Sequence, residues 1–390
     1  MSVIDQIDIY SHCNHLGGKI WNPAIRWTDK YAVFIALKDD QGVVGIGECW
    51  CFDSSPETLV AFIKNEVAPH FIGLDISDGD IIAKKMKNRA TLTARHGILA
   101  SALSGFDIAL WDLRSQHNCV PLWKAIDSNG PGDAEFYAAG GLYGLDKTES
   151  DLAAEIAGMV ADGHNTAKIK IGWLDAEQDK ARVLAALDAL PHKGSLIIDA
   201  VYSYTADEAL RFFEALPDGR ISAFQSPVAA SDFKGMKRLT EAGVPVMATE
   251  AEYRSEIQRQ MIDGRCVRYL QTAPIACGGI THVLDLCKLV ADTEVEISLE
   301  VSSTAIALMA SYHLAAAHSA IAHVEFHYVH QVFFEQMKLT QRPDLPGRYF
   351  APDLLGLGIE LPVDALVHEM QIGCATSSMT STKASHTGMH

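Results

Sequence analysis

From Ala134 to Phe326 the chain is a series of short apolar runs separated by amphipathic stretches, and this alternation restricts its fold more than any other feature. Eight runs read as strands: "EFYAAGG", "TAKIKIG", "SLIIDAV", "SAFQSP", "VPVMATE", "RYLQTA", "VEISLE" and "IAHVEF". Between them lie stretches such as "LAAEIAGMVADG" and "DKARVLAALDAL", whose apolar residues recur at helical spacing. Strand and helix alternating with a repeat of roughly 25–30 residues predict parallel βαβ units that close into a barrel. An open doubly wound sheet is disfavoured, because no Gly-rich phosphate loop follows the first strand.

The part before this series has another texture. Strands are expected near Ile4–Tyr10 and Tyr31–Leu37, followed by a turn at "DDQG" and a third strand in "VVGIGECW". The helix "ILASALSGFDIALWDLRSQH" ends before Pro121. The expected organisation is an α+β N-terminal capping domain over 1–132, a barrel over 133–335, and a segment over 336–372 that returns to the cap. A small, polar tail over 373–390 is expected to be disordered. With 390 residues and 48% hydrophobic content the chain can bury a barrel-sized core. A formal charge of -17 speaks against nucleic acid or an anionic membrane as partner, since phosphates would be repelled. Eight scattered cysteines without a CxxC pair suit a reducing compartment, and neither a signal peptide nor a membrane span is read, so the expected location is the cytoplasm.

In a barrel of this kind the C-terminal strand ends carry the chemistry. Lys168 and Lys170 alternate with Ile169 and Ile171, so both lysines project from one face of their strand. Successive strands then end in Asp199, Gln225, Glu250, Ala273, Glu300 and Glu325. Asp199 and Glu250 with the Gln225 amide oxygen between them form an oxygen-only cage suited to a hard divalent cation such as Mg²⁺. The structural alternative is that these carboxylates only pair with the lysines.

The chain resembles the enolase superfamily, in its mandelate racemase and muconate lactonizing branches. The resemblance rests on "DIALWDL" followed by "PLW", the KxK strand, "IIDA", the proline of "QSPV", the "CGGIT" turn and the "HLAAA" helix. Their order and spacing carry it: Asp199 lies 29 residues after Lys170, and Gln225, Glu250, Ala273 and Glu300 follow at 26, 25, 23 and 27. The fold implied is a modified (β/α)7β TIM-like barrel under the α+β cap. The activity implied is removal of the proton α to a carboxylate held on one Mg²⁺, with Lys170 as base and Lys168 as the neighbour that binds the carboxylate. The resemblance also implies a small carboxylate substrate and a homo-oligomer.

Three positions depart from the family pattern. Gln225 stands where a glutamate ligand is usual, so Mg²⁺ should bind more weakly. Val201 replaces a frequent asparagine, and Ala273 stands where a second base or its supporting aspartate is usual. One base favours syn-dehydration of a hydroxy acid, with the protonated lysine or Glu300 assisting the leaving hydroxyl. Racemisation, epimerisation or cycloisomerisation is the alternative, and a degenerate barrel that binds without turnover is a third. Glu325 reads equally as an acid toward the substrate carboxylate or as a buried ion-pair partner. The stretch "SHCNHLGGKIWNPAIRW" reads as a mobile loop over the site, with His15, Lys19, Trp21 and Arg26 as candidate substrate contacts.

Overall fold

The computed structural model describes residues 2–52, 55–93, 96–217, 219–337, 348–350 and 353–373, so the expected disorder of the tail concerns residues outside the described ones, apart from Gly373. The first part is an antiparallel sheet of β1 (Ile4–Trp21), β2 (Arg26–Asp39) and β3 (Val44–Cys49), covered by helices α1 (Pro56–Phe62), α2 (Gly79–Thr93) and α3 (His96–His117). Period-two alternation turns Ile7, Ile9, Val33, Ile35 and Leu37 toward Leu99, Leu103, Phe106 and Leu110 of α3, which recur at helical spacing.

The stretch read as a loop is for the most part a β-hairpin. β1 continues to Trp21 and β2 begins at Arg26, with pairing unbroken from Ser11↔Val33 to His15↔Asp29 and resuming at Ile20↔Trp27 and Trp21↔Arg26. Between the two ladders the chain bulges at Leu16–Lys19, where Gly17 and Gly18 take φ values of 69° and 67°. The hairpin has no apolar face to mark it in sequence. Ladder hydrogen bonds hold it, and its tip pairs with the two-residue strand β5 (Tyr143–Gly144) of the barrel.

The barrel strands are β4 (Asp133–Ala139), β6 (Thr166–Lys170), β7 (Ser195–Asp199), β8 (Ile221–Gln225), β9 (Val246–Ala248), β10 (Tyr269–Thr272), β11 (Glu296–Leu299) and β12 (Ile321–His327). They run parallel in that order, and β12 pairs with β4 to close the sheet. Alternation sorts each strand's side chains between two cores. Ala167, Ile169, Leu196, Ile198, Phe224, Leu270, Ile297, Leu299 and Val324 join the layer shared with the surrounding helices. Tyr137, Ala139, Ile197, Ala223 and Met247 fill the barrel interior. Lys168 and Lys170 belong to the interior set, at 1% and 7% exposure, so neither is a solvated strand-face lysine.

Beyond the barrel, β13 (Arg348–Phe350) pairs antiparallel with β4, and β14 (Val367–Gly373) adds to β1, which returns the chain to the cap sheet. Two buried carboxylates fasten the parts together. Glu48 of β3 accepts hydrogen bonds from the Ser303 hydroxyl, the Thr304 hydroxyl at 2.6 Å and the Ala307 N–H at 3.2 Å, at the N-terminus of the wholly buried helix Ala305–Ala317. Asp112 of α3 accepts the Ile46 N–H at 2.9 Å and the Leu357 N–H at 2.8 Å, tying the C-terminal segment to β3. No helix among the described residues is long and apolar enough to cross a membrane.

Burial pushes the Asp112 carboxyl up to about 6, against the two N–H bonds that favour its charge. Its acid is therefore weaker in the folded chain than in the unfolded one. The stability this lends is fully present below about pH 4 and is lost as pH rises through 6. Relative to Asp112→Asn, the wild type should lose about 1–3 kcal/mol between pH 4 and 6.5, at about 1.4 kcal/mol per pKa unit. Urea unfolding of both proteins across that range measures it.

Candidate active site

The interior alternation continues to the C-terminal rim, and there the apolar filling gives way to charge. β6 delivers Lys168 and Lys170, β7 Asp199, β8 Gln225, and the residues after β9 and β11 deliver Glu250 and Glu300. Glu325 comes from β12. Lys170 and Asp199 are register partners, as are Asp199 and Gln225, so neighbouring strands present these groups at one height.

The ammonium of Lys168 lies 2.5 Å from Glu325 Oε1, donates to Gln225 Oε1 at 2.9 Å and stands 4.0 Å from Asp199 Oδ2. Lys170 forms an ion pair with Asp199. Asp199 Oδ1 also accepts the Val201 N–H at 3.0 Å, and Glu325 Oε2 accepts the Val301 N–H at 3.0 Å. Glu250 Oε2 accepts the Tyr202 hydroxyl at 2.8 Å. Glu300 is 9% exposed, and its Oε2 has no hydrogen-bond partner among the described residues.

The electrostatics follow from the count. Asp199, Glu250, Glu300 and Glu325 when ionised bring four negative charges against the two ammonium groups, an excess of two. Burial, then the charges of Glu250 and Glu325, hold the Glu300 carboxyl well above the usual carboxylate range. Glu250 is raised in the same direction, by burial and then by Asp199. Burial works against the charge of Lys168, but Glu325, Tyr137, Asp199 and Glu300 outweigh it, and its pKa lies well above the ordinary lysine value. Lys168 is thus a fixed cation.

Oxygen-only donors, and buried carboxylates crowded enough to hold Glu250 and Glu300 above the usual carboxylate range, together fit a hard dication that would relieve the crowding. Asp199, Gln225 and Glu250 end three adjacent strands and offer oxygen alone. In this arrangement the lysines occupy two of those donors, since Lys170 holds Asp199 and Lys168 holds Gln225.

The four candidate contacts on the hairpin, His15, Lys19, Trp21 and Arg26, do not join this cluster. His15 pairs with Asp29 on the hairpin and its side chain is 82% exposed. Trp21 stacks on Tyr143 at 6.5 Å and meets Trp173 edge-on at 6.3 Å, with the Arg26 guanidinium 4.5 Å over its ring. The Lys19 carbonyl accepts the Leu145 N–H at 3.1 Å. These contacts seat the hairpin tip on loops that follow β4 and β6.

Three residues near the rim escaped the sequence reading. Tyr202, which fixes Glu250, lies in a turn where Val201 and Tyr202 take φ values of 46° and 64°, beyond the reach of strand periodicity. His327 continues the inward series of His323 and Glu325, a signal available had β12 been read one residue further. Burial and the charges of Lys168, Lys170 and Lys30 hold it well below the usual histidine value, so it is neutral. Lys30 of the cap is 1% exposed, lies 3.5 Å from the Phe52 ring centre and donates to Ser302 at 3.4 Å.

Residues 151–365 match the family described as enolase C-terminal domain-like, and residues 26–126 match the mandelate racemase / muconate lactonizing enzyme, N-terminal domain. The chain belongs to the enolase superfamily, in its mandelate racemase and muconate lactonizing branch, and is an enzyme of that superfamily. It is 27% identical over 355 residues to D-galactarolactone cycloisomerase of Agrobacterium fabrum, covering 88% of this chain and 92% of that protein. It is 25% identical over 337 residues to L-talarate/galactarate dehydratase of Salmonella typhimurium, covering 86% and 81%. The crystal structure of that dehydratase shares the fold with a TM-score of 0.85 at 21% identity, covering 95% of this chain and 94% of the other.

The crowding of carboxylates has a measurable cost in the metal-free protein. Glu300→Gln removes a buried charge that two neighbouring carboxylates repel, so it should raise stability without divalent cation by about 1–3 kcal/mol. Because the folded pKa of Glu300 is raised, the gain should grow as pH rises above the usual glutamate range and vanish below it. Thermal unfolding in chelator at pH 4.5 and pH 8 checks both sign and trend.

Proposed function

We propose that the protein removes the proton α to the carboxylate of a hydroxy acid of the acid-sugar type and expels the β-hydroxyl as water, with one Mg²⁺ in the site. The observation that carries this reading is the asymmetry of the rim. β6 and β10 stand four strands apart in a ring of eight and so face each other across the barrel. β6 carries both lysines. Opposite them lies a buried patch of Ala273, Ala276 and Cys277, packed against Trp50 and Tyr253. Burial pushes the Cys277 thiol up to about 12, so it offers no base at neutral pH.

Mg²⁺, held by Asp199, Glu250 and the Gln225 amide, would neutralise the carboxylate excess and acidify the α-proton of a bound carboxylate. The roles of the chain's own groups then separate. Lys168, a fixed cation, stabilises the charge that develops on the substrate carboxylate. Lys170, once released from Asp199, takes the α-proton on its nitrogen. The electron pair of the broken C–H bond passes first onto the substrate carboxylate beside Lys168, and its return forms the new C=C bond as the β C–O bond breaks. Lys170 returns the proton to the departing hydroxyl on the same face, so water leaves and the lysine is regenerated. Tyr202 holds Glu250 in place. The names of the two relatives concern galactarate, talarate or a galactarate lactone, which supports a sugar acid as substrate.

Two measurements test this. Screening sugar acids in deuterated water should find one that loses water with α-deuterium exchange, and Lys170→Ala should depress both by about 10²–10⁴-fold. A racemic product formed as fast as exchange would instead require a second base, with Glu300 the first to examine, and would overturn the elimination. Calorimetric titration of the metal-free protein should find one weak Mg²⁺ site that Gln225→Glu tightens by restoring a negative ligand. No divalent binding at millimolar Mg²⁺ would sink the metal-assisted reading.

A further inference from the structure

The hairpin of β1 and β2 carries a second cluster with different chemistry. Cys13 and His15 are two apart on β1 and share a face, and Asp29 of β2 stands directly across from His15. The Cys13 Sγ lies 3.9 Å from His15 Nδ1 and 3.9 Å from Asp29 Oδ1, and His15 Nδ1 lies 2.5 Å from Asp29 Oδ1. The three donor atoms all fall within 4.8 Å of one another. Both partners of the thiol are open to solvent, with side chains 82% and 31% exposed.

We propose that Cys13, His15 and Asp29 form a zinc site on the hairpin just before its bulge, with water in the fourth position. Tetrahedral zinc, with bonds of about 2.3 Å to sulfur and about 2.0–2.2 Å to nitrogen and oxygen, spaces its ligand atoms by roughly 3.3–3.6 Å. The sulfur is already close to that spacing from both partners. Only the imidazole and carboxylate must part, by less than about 1 Å, and both are exposed enough to turn. A thiolate and an imidazole select zinc over magnesium, whereas the barrel rim offers oxygen alone, so the two sites sort their metals by donor softness. The position also matters. His15↔Asp29 is the last regular pair before the bulge at Leu16–Lys19, so an ion here would clasp the two strands where the regular ladder stops.

The inference is independent of the reaction proposed above, and its test does not use turnover. The full chain, with the barrel site kept saturated by excess Mg²⁺, is titrated with Co²⁺. A near-ultraviolet thiolate-to-cobalt charge-transfer band should appear, saturate at one equivalent and disappear on adding Zn²⁺. An all-oxygen site cannot produce that band. Cys13→Ser should abolish it, and His15→Ala should weaken Co²⁺ binding by at least about tenfold. Absence of the band, or its survival in Cys13→Ser, would overturn the site. For the unaltered chain, alkylation by iodoacetamide mapped to Cys13 should slow when Zn²⁺ is present; an unchanged rate would show an ordinary His–Asp pair beside an unligated thiol.

Discussion

Four carboxylates and two lysines brought together at the rim of a closed barrel are the constraint on which the rest of the molecule depends. A charge buried alone costs several kcal/mol, so none of these groups can be placed independently of the others. Lys168 reaches Glu325 and Gln225, Lys170 reaches Asp199, and Tyr202 reaches Glu250. Glu300 is left with an oxygen that has no hydrogen-bond partner among the described residues. The layer beneath is filled by Tyr137, Ile197, Ala223 and Met247, which keeps water from screening the cluster from below. Strand register makes this arrangement possible, because a slip of one residue would turn both lysines outward into the helix layer.

The barrel was legible because parallel strands buried on both faces write themselves as apolar runs, and a polar residue in such a run stands out. Lys168, Lys170, Asp199, Gln225 and Glu325 were found that way, and the structure brings them to one rim. Glu250 and Glu300, just beyond their strands, were found by the same rhythm. The enolase superfamily membership read from those positions is the one the family match shows. The hairpin was not legible beyond Tyr10, because "SHCNHLGGKIW" alternates polar with polar and its strand character comes from pairing with distant partners. Tyr202 and Lys30 were hidden for related reasons. One lies in a turn, and the other sits on a strand whose buried side could be known only once the barrel was placed beneath it.

The cap therefore has two mechanical parts. Its sheet and α3 are joined to the barrel through buried contacts, whereas the hairpin beyond the Gly17–Gly18 bulge touches it through ring stacking and the short pairing with β5.

That firm seam bears on inheritance. Glu48 belongs to the cap, yet its partners Ser303, Thr304 and Ala307 follow the barrel strand that presents Glu300. A gene segment encoding the cap alone, grafted onto a barrel without matching hydroxyls, would bring a buried carboxylate with nothing to receive it. A change at Glu48 in any lineage must accordingly be met by changes at Ser303 and Thr304, which ties the descent of the cap to that of the barrel.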